Sequence, residues 1–387
     1  MSNQSLRVAV FSGNYNYVRD GANQALNRLV GYLLSKGVSV RVYSATTDTP
    51  AFPPTGDLVS VGSVPLPFGR GEYRLARGLT RAARRDLAAF KPNIIHLAAP
   101  DLLGHGALHW ARQHGIPVLS SMHTRFETYP RYYGLGFLEP LLVALLRRFY
   151  RRCDAVVAPS PSMAEVMQAQ GMGQDIGIWA RGIDTDIFNP DQRDMAWRRS
   201  LSINDDDIVI GFLGRLVMEK GLDVFADAID ALRANGVRHR VLVIGDGPAR
   251  GWFEKRLKGE VFVGFQSGKD LGRAVASMDM LFNPSITETF GNVTLETMAC
   301  GIPVIAAHAT GSENLVADGI TGALVPPGNI ARFADALASY CTDPARRIAH
   351  GRAGAEASRA YDWDKVNQAV LDAYRRLVPQ PDEAPND

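Results

Sequence analysis

Cysteine is scarce in this chain of 387 residues. Cys153, Cys300 and Cys341 are odd in number and far apart, which fits neither a disulfide framework nor a cysteine-based metal site and points to a reducing cytoplasm. No apolar run approaches the roughly 20 residues that cross a bilayer, and the longest candidate, residues 141–146, is far too short. Residues 6–11 begin too early and run too briefly for a signal peptide, so none is expected. The formal net charge is only +2, and the basic residues are not interleaved with stacking aromatics, which argues against a nucleic-acid module. The G-x-G-x-x-G fingerprint is also missing. The segment after the first strand reads Ser12-Gly13-Asn14-Tyr15-Asn16-Tyr17, so a nicotinamide dehydrogenase is excluded. Short-period repeats are absent, and the only biased block is the Pro/Asp-rich tail at 379–387, expected to fray.

What is present is an ordinary globular composition, 46% hydrophobic and 21% charged, with length enough for two domains. Short β-rich runs alternate with helical patterns from end to end. Strands are expected at 8–11, 38–43, 94–97, 118–120, 155–158 and 176–179, then at 208–213, 241–244, 261–263, 280–283, 304–306 and 323–325. Helices are expected near 22–35, 72–90, 104–114, 137–152 and 161–170, then near 220–234, 248–258, 269–277, 292–300 and 329–341. This grammar predicts an α/β fold of two Rossmann-like parallel-sheet domains facing across a cleft. The joint is placed in 188–194 (Phe-Asn-Pro-Asp-Gln-Arg-Asp). Residues 1–188 would then form the N-terminal domain, completed by a C-terminal helix within 363–387, and 189–362 the C-terminal domain. Ligands of open α/β sheets bind beyond the carboxyl ends of the strands, where most candidate site residues fall.

The most informative stretch is 286–303, Ile-Thr-Glu-Thr-Phe-Gly-Asn-Val-Thr-Leu-Glu-Thr-Met-Ala-Cys-Gly-Ile-Pro. Asn292 is a good N-cap, and Val293, Leu295, Met298 and Ala299 supply an apolar face, so a helix is expected to start there. Its free N–H groups attract anions. Glu288 precedes that end and Glu296 follows it. Phosphate on amides, with a carboxylate on either side to accept hydroxyls, suits a sugar joined to a nucleotide diphosphate. An ordinary capped helix with acids near the favourable end of its dipole is the plainer alternative.

Arg215 and Lys220 close a strand and open a helix, where two cations can neutralise a diphosphate without a metal ion. Gly13 ends the first strand, where backbone can approach phosphate closely. Next come Asn14 and the helix-capping Asp20-Gly21-Ala22-Asn23, whose polar groups are candidates for the cleft, as is Arg181 near the joint. Arg181 could equally pin the linker. His123 ends the 118–120 strand; structural and functional roles are both open for it, and its place at a strand end favours the second. Asp184-Thr185-Asp186 has a metal-site look, but turn formation explains both aspartates.

Charge is divided unevenly. Residues 1–190 hold 20 Lys/Arg against 13 Asp/Glu, and the rest hold 22 against 27. Within an expected helix at 71–90, Arg70, Arg74, Arg77, Arg81, Arg84 and Arg85 fall in one arc of about 100°. Arg147, Arg148, Arg151 and Arg152 add a second cluster. Each cation near an anionic membrane is worth about 1 kcal/mol, so peripheral attachment of the first domain needs no anchor.

Taken together, Gly13, the His123 segment, Gly214-Arg215 with Glu219-Lys220-Gly221, Gly245-Asp246-Gly247-Pro248 and the Glu288/Glu296 pair resemble a family-4 glycosyltransferase of the GT-B fold. The resemblance spans essentially the whole chain. It implies a retaining hexosyltransferase that takes a UDP- or GDP-sugar and needs no cofactor and no metal. By the same resemblance, Arg215 and Lys220 would hold the diphosphate, Glu288 the sugar hydroxyls and Glu296 the ribose. Backbone at Phe290, Gly291, Asn292 and Val293 would meet sugar and phosphate, backbone at Val263 and Phe265 the base, and His123 the sugar at the reacting face. A closing helix near 363–377 would return to the first domain. No dedicated base is implied, because the departing phosphate can take the acceptor's proton.

Within the family, the segments starting at His123 and Arg181 are most similar to enzymes that glycosylate membrane lipids such as diacylglycerol. The implied donors are mannosyl, glucosyl, glucuronosyl or sulfoquinovosyl nucleotides, and the implied location is the inner face of the cytoplasmic membrane. Arg125 is a candidate partner for the C6 carboxylate of a glucuronosyl donor, or for the domain's own acids. Other readings are a polyprenyl-linked or soluble acceptor, a nucleotide-sugar 2-epimerase, and a non-catalytic nucleotide-sugar sensor.

Overall fold

The computed structural model describes residues 5–18, 20–65, 74–128 and 134–378. Arg70, the expected helix start at 71–73, residues 129–133 of the His123 segment and the 379–387 tail lie outside the described residues. The chain divides into two compact units, 1–181 with 363–387, and 182–362. The division precedes the 188–194 stretch, which is bound into the second unit. There Arg193 Nη1 donates to Met278 O at 2.6 Å, and Asp194 Oδ1 accepts from Trp197 N at 2.9 Å.

The first unit runs β1 (Arg7–Ser12), α1 (Gly21–Ser35), β2 (Ser39–Ala45), β3 (Asp57–Val61), β4 (Ser63–Pro65), β5 (Arg74–Ala76), α2 (Arg81–Phe90), β6 (Ile94–Leu97), α3 (Leu102–Gln113), β7 (Val118–Ser121), α4 (Glu139–Tyr150), β8 (Ala155–Ala158), α5 (Pro161–Ala169) and β9 (Ile176–Ile178). Its sheet is parallel, in the order β3-β2-β1-β6-β7-β8-β9. Alternation along β1 builds both faces: Val8 and Val10 pack with α1, Ala9 and Phe11 with α2 and α3.

The second unit runs α6 (Met195–Ser200), β10 (Val209–Leu213), α7 (Leu222–Ala234), β11 (Arg240–Ile244), α8 (Arg250–Arg256), β12 (Val261–Gly264), α9 (Gly268–Ala276), β13 (Met280–Asn283), α10 (Asn292–Ala299), β14 (Val304–Ala307), α11 (Ser312–Leu315), β15 (Gly322–Val325), α12 (Ile330–Thr342) and α13 (Pro344–Ser358). Its sheet is also parallel, in the order β12-β11-β10-β13-β14-β15. Phe212, Phe225, Phe253, Phe282 and Phe333 fill one face. The final helix, α14 (Trp363–Leu377), belongs to the first unit and buries Val370, Leu371 and Tyr374 beside β1 and β2.

Every expected strand is present, and β3, β4 and β5 are additional. The arginine helix is corrected. Residues 74–76 pair antiparallel with β4, and Gly78 takes a left-handed φ of +90° that ends any continuous helix. Thr80 then caps α2 by accepting from Ala83 N. Arg74 and Arg77 are therefore off the helix. Arg81, Arg84 and Arg85 remain exposed on it.

Candidate active site

In the second unit the chain leaves β10 towards β11 and β12 on one side, and resumes at β13 on the other. The loops after β10 and β13 therefore flank the switch point, where open α/β sheets bind ligands. The β10 and β11 loops stack as closely as backbone allows. A Cβ on Gly245 would lie 1.9 Å from Gly214 O, and one on Gly247 2.4 Å from Leu216 O. Leu216 N also donates to Asp246 O at 2.9 Å, so the segment bearing exposed Arg215 is fixed.

Across the switch point Lys220 Nζ lies 2.6 Å from Glu288 Oε1, both partly buried. The Glu288 loop is braced on two sides: Thr287 Oγ1 donates to Glu219 O at 3.2 Å, and Thr310 Oγ1 to Glu288 O at 3.0 Å. Asn292 is not the N-cap expected for α10. Gly291 occupies that place with a φ of +98° and, as glycine, makes no side-chain cap bond. Beside this turn Asn292 Oδ1 is buried with no partner. One turn on, burial raises the Glu296 carboxyl to about 8, with the Glu288 charge adding to the effect. The Phe290 side chain is buried edge-on against Tyr361, so only its backbone is a candidate for contact. Phe265 stands 63% exposed past β12, while Val263 O accepts from Gln266 Nε2.

In the first unit the switch point lies between β1 and β6. Gly13 is required there because a Cβ would meet Asp101 Oδ2 at 2.4 Å. Asp101 was not a candidate. It follows β6 and caps α3 by accepting from Gly104 N, a strand-end acid before a helix that the same rule could have found. Asp20 caps α1 and accepts from Asn14 Nδ2 at 3.3 Å; burial raises its pKa. Asn23 is committed to the Val18 carbonyl. Arg181 is buried, donates to Trp179 O at 2.9 Å and to His123 Nδ1 at 2.9 Å, and lies in the field of Asp20. His123 Nε2 is bonded to Ser121 Oγ at 2.8 Å, and burial with the nearby Arg181 charge depresses the imidazole's pKa. Arg125 pairs with buried Glu127 at 2.9 Å, so its guanidinium meets the domain's own acid.

Asp184 forms a turn, its carbonyl accepting from Ile187 N and Phe188 N. Among the described residues no group of three or more His, Cys, Asp or Glu side chains could hold a metal ion.

Residues 19–187 match the family described as Glycosyltransferase Family 4, and residues 207–343 the family described as Glycosyl transferases group 1. A GDP-mannose-dependent alpha-mannosyltransferase of Mycobacterium tuberculosis is 32% identical over 96% of this chain and 97% of its own. The sulfoquinovosyl transferase SQD2 of Arabidopsis thaliana is 30% identical over 92% of this chain and 71% of its own. Among solved structures, sucrose-phosphate synthase of Thermosynechococcus elongatus superposes with a TM-score of 0.79 at 22% identity, covering 96% of this chain and 99% of that one.

Proposed function

Since the chain belongs to the family-4 glycosyltransferases of the GT-B fold, enzymes that move a hexose from a nucleotide sugar, we propose that its acceptor is a hydroxyl of a membrane lipid and that the anomeric configuration is retained. The observation that carries the donor side is the Lys220–Glu288 pair at the β10/β13 switch point, beside a helix start with no side-chain cap and an unpartnered Asn292 Oδ1. Diphosphate oxygens compete with Glu288 for Lys220, and the released carboxylate then accepts sugar hydroxyls. Arg215 and the α10 amides take the remaining phosphate charge. Glu296, neutral below about pH 8 in the free protein, offers the ribose an O–H as well as an acceptor oxygen. Catalysis then rests on positioning and on stabilising charge at the leaving diphosphate, with no resident metal or cofactor.

GDP-mannose is the first donor to test, because the 32% identical relative is a GDP-mannose-dependent enzyme. A sulfoquinovosyl nucleotide is second, from the SQD2 relative. The Arg125–Glu127 pair removes the support for a glucuronosyl donor.

Membrane attachment is supported by α4. Leu141 and Leu145 are 57% and 53% exposed on one stripe with Arg148, Arg152 is exposed in the turn beyond, and Phe137 just before the helix is 75% exposed. Leucines that enter the acyl boundary and arginines that reach back to anionic headgroups make an interfacial helix. Among the described residues no helix is long and apolar enough to span a membrane.

The test is incubation with a panel of UDP- and GDP-sugars and anionic vesicles containing diacylglycerol, followed by mass spectrometry of the lipid fraction. A hexosylated lipid is expected. Transfer to soluble acceptors alone would contradict the lipid reading, and donor isomerisation without acceptor would favour an epimerase.

A further inference from the structure

A chain of buried polar groups runs through the first unit from Arg181 to the C-terminal helix. Arg181 Nη2 lies 2.9 Å from His123 Nδ1, and His123 Nε2 lies 2.8 Å from Ser121 Oγ. Ser121 Oγ lies 2.7 Å from His96 Nε2, and His96 Nδ1 meets Tyr374 Oη. His96, Ser121 and Tyr374 are all at most 1% exposed.

The Arg181 end of the chain fixes the tautomer of His123. A guanidinium has no acceptor, so His123 Nδ1 must present its lone pair. The imidazole then carries its proton on Nε2 and donates to Ser121. Two arrangements complete the chain: Ser121 donates to His96 Nε2 and His96 Nδ1–H to Tyr374, or Ser121 accepts from His96 Nε2–H as well and Tyr374 Oη–H donates to His96 Nδ1. In either arrangement a proton on His123 Nδ1 would aim two donors at one another between Arg181 and His123. Both ring nitrogens of His123 are therefore engaged within the protein, which rules it out as a proton acceptor for the incoming hydroxyl unless this chain breaks.

We infer that His96, Ser121 and Tyr374 are positioning residues for His123, and that docking of α14 fixes the orientation of that imidazole, whose tautomer Arg181 sets. This rests on the reading of His123 as a residue that meets the reacting sugar. The helix is well placed for the role. Trp179 Nε1 donates to Asn367 Oδ1 at 3.2 Å, Tyr32 Oη bonds Gln368 Oε1, and Val370 and Leu371 pack in the core beside β1. A displacement of α14 would therefore be felt at His96 and passed on through Ser121.

The experiment combines ¹⁵N-histidine NMR with steady-state kinetics on the full chain, using Tyr374→Phe, Ser121→Ala and Ser121→Thr. Tyr374→Phe keeps the buried ring and removes only the hydroxyl. The wild type should show His123 protonated on Nε2, with both imidazoles neutral and each held in a single tautomer. Tyr374→Phe should move the His123 resonances as well as those of His96, and lower kcat about fivefold to tenfold with the donor KM unchanged. Ser121→Ala should do the same, and Ser121→Thr should restore both readouts. A His123 proton on Nδ1, a charged His123, or wild-type kcat with unmoved His123 signals in both Tyr374→Phe and Ser121→Ala would overturn the inference. Failure of the wild type to transfer any sugar would count against the transferase reading, while the tautomer pattern and its response to Tyr374→Phe decide the relay by themselves.

Discussion

In the first unit the polar groups at the strand ends are bonded to one another. Asp20 caps α1 and holds Asn14, Arg181 is bound to His123 and to backbone, and Arg125 is paired with Glu127. In the second unit the equivalent region holds the partly exposed Lys220–Glu288 pair and is less fully bonded. Phe265 stands exposed, Asn292 Oδ1 has no partner, and α10 starts without a side-chain cap. The contrast separates a half whose strand-end polar groups satisfy one another from one that, on the proposed donor reading, a ligand completes. Substitutions in the first should cost stability or geometry, and substitutions in the second should cost turnover while the fold survives.

The largest expected effect tests the open half. Glu288→Ala should lower kcat/KM by about a thousandfold with an unchanged melting temperature, since Lys220 is partly exposed and can rehydrate. Near-wild-type turnover would remove Glu288 from the chemistry. Next is the closed half. Arg125→Ala leaves the Glu127 carboxylate buried without its partner, and a loss of about 3 kcal/mol in chemical denaturation is expected. An unchanged midpoint would mean the pair is not structural.

On α4, Leu141→Asn and Leu145→Asn should each weaken partition onto anionic vesicles roughly tenfold, from about 1.5 kcal/mol or more of lost apolar burial per leucine. Equal sedimentation with vesicles for wild type and double variant would take the membrane off this face. A further effect concerns pH. The folded Glu296 carboxyl titrates at about 8 rather than 4.5, so the native state holds a proton that the unfolded chain releases. Its contribution to stability is full below pH 4.5 and is lost as pH rises through about 8. Glu296→Gln should therefore melt progressively higher relative to wild type between pH 5 and 9. Parallel melting curves would contradict the raised pKa.

The sheets were legible because parallel strands buried on both faces read as short apolar runs, as at Ile94–Leu97 and Met280–Asn283. The edge strand Asp57–Val61 was missed, because its Asp-Leu-Val-Ser-Val run is short, only partly buried and neither alternating nor continuously apolar, and it follows a Pro/Gly-rich stretch. The arginine helix failed because a 3.6-residue periodicity cannot see the left-handed Gly78. Of the site, Glu288 and Lys220 were found from residue type at strand ends, and the structure pairs them. Asn292 was misplaced by one position, since cap propensity favours Asn over the Gly that carries the positive φ. His96, Ser121 and Tyr374 left no mark in the sequence. A histidine and a serine inside apolar strands look like core, and Tyr374 is remote in the chain until α14 packs back onto the first unit.

The central claim is that the β10/β13 switch point of the second unit grips the diphosphate of a nucleotide sugar. Calorimetric titration of the full chain with GDP-mannose and UDP-glucose, repeated on Lys220→Met, tests it most directly. Saturable binding of at least one donor, weakened about tenfold or more by Lys220→Met, is expected. Binding of neither, or binding untouched by the substitution, would contradict it.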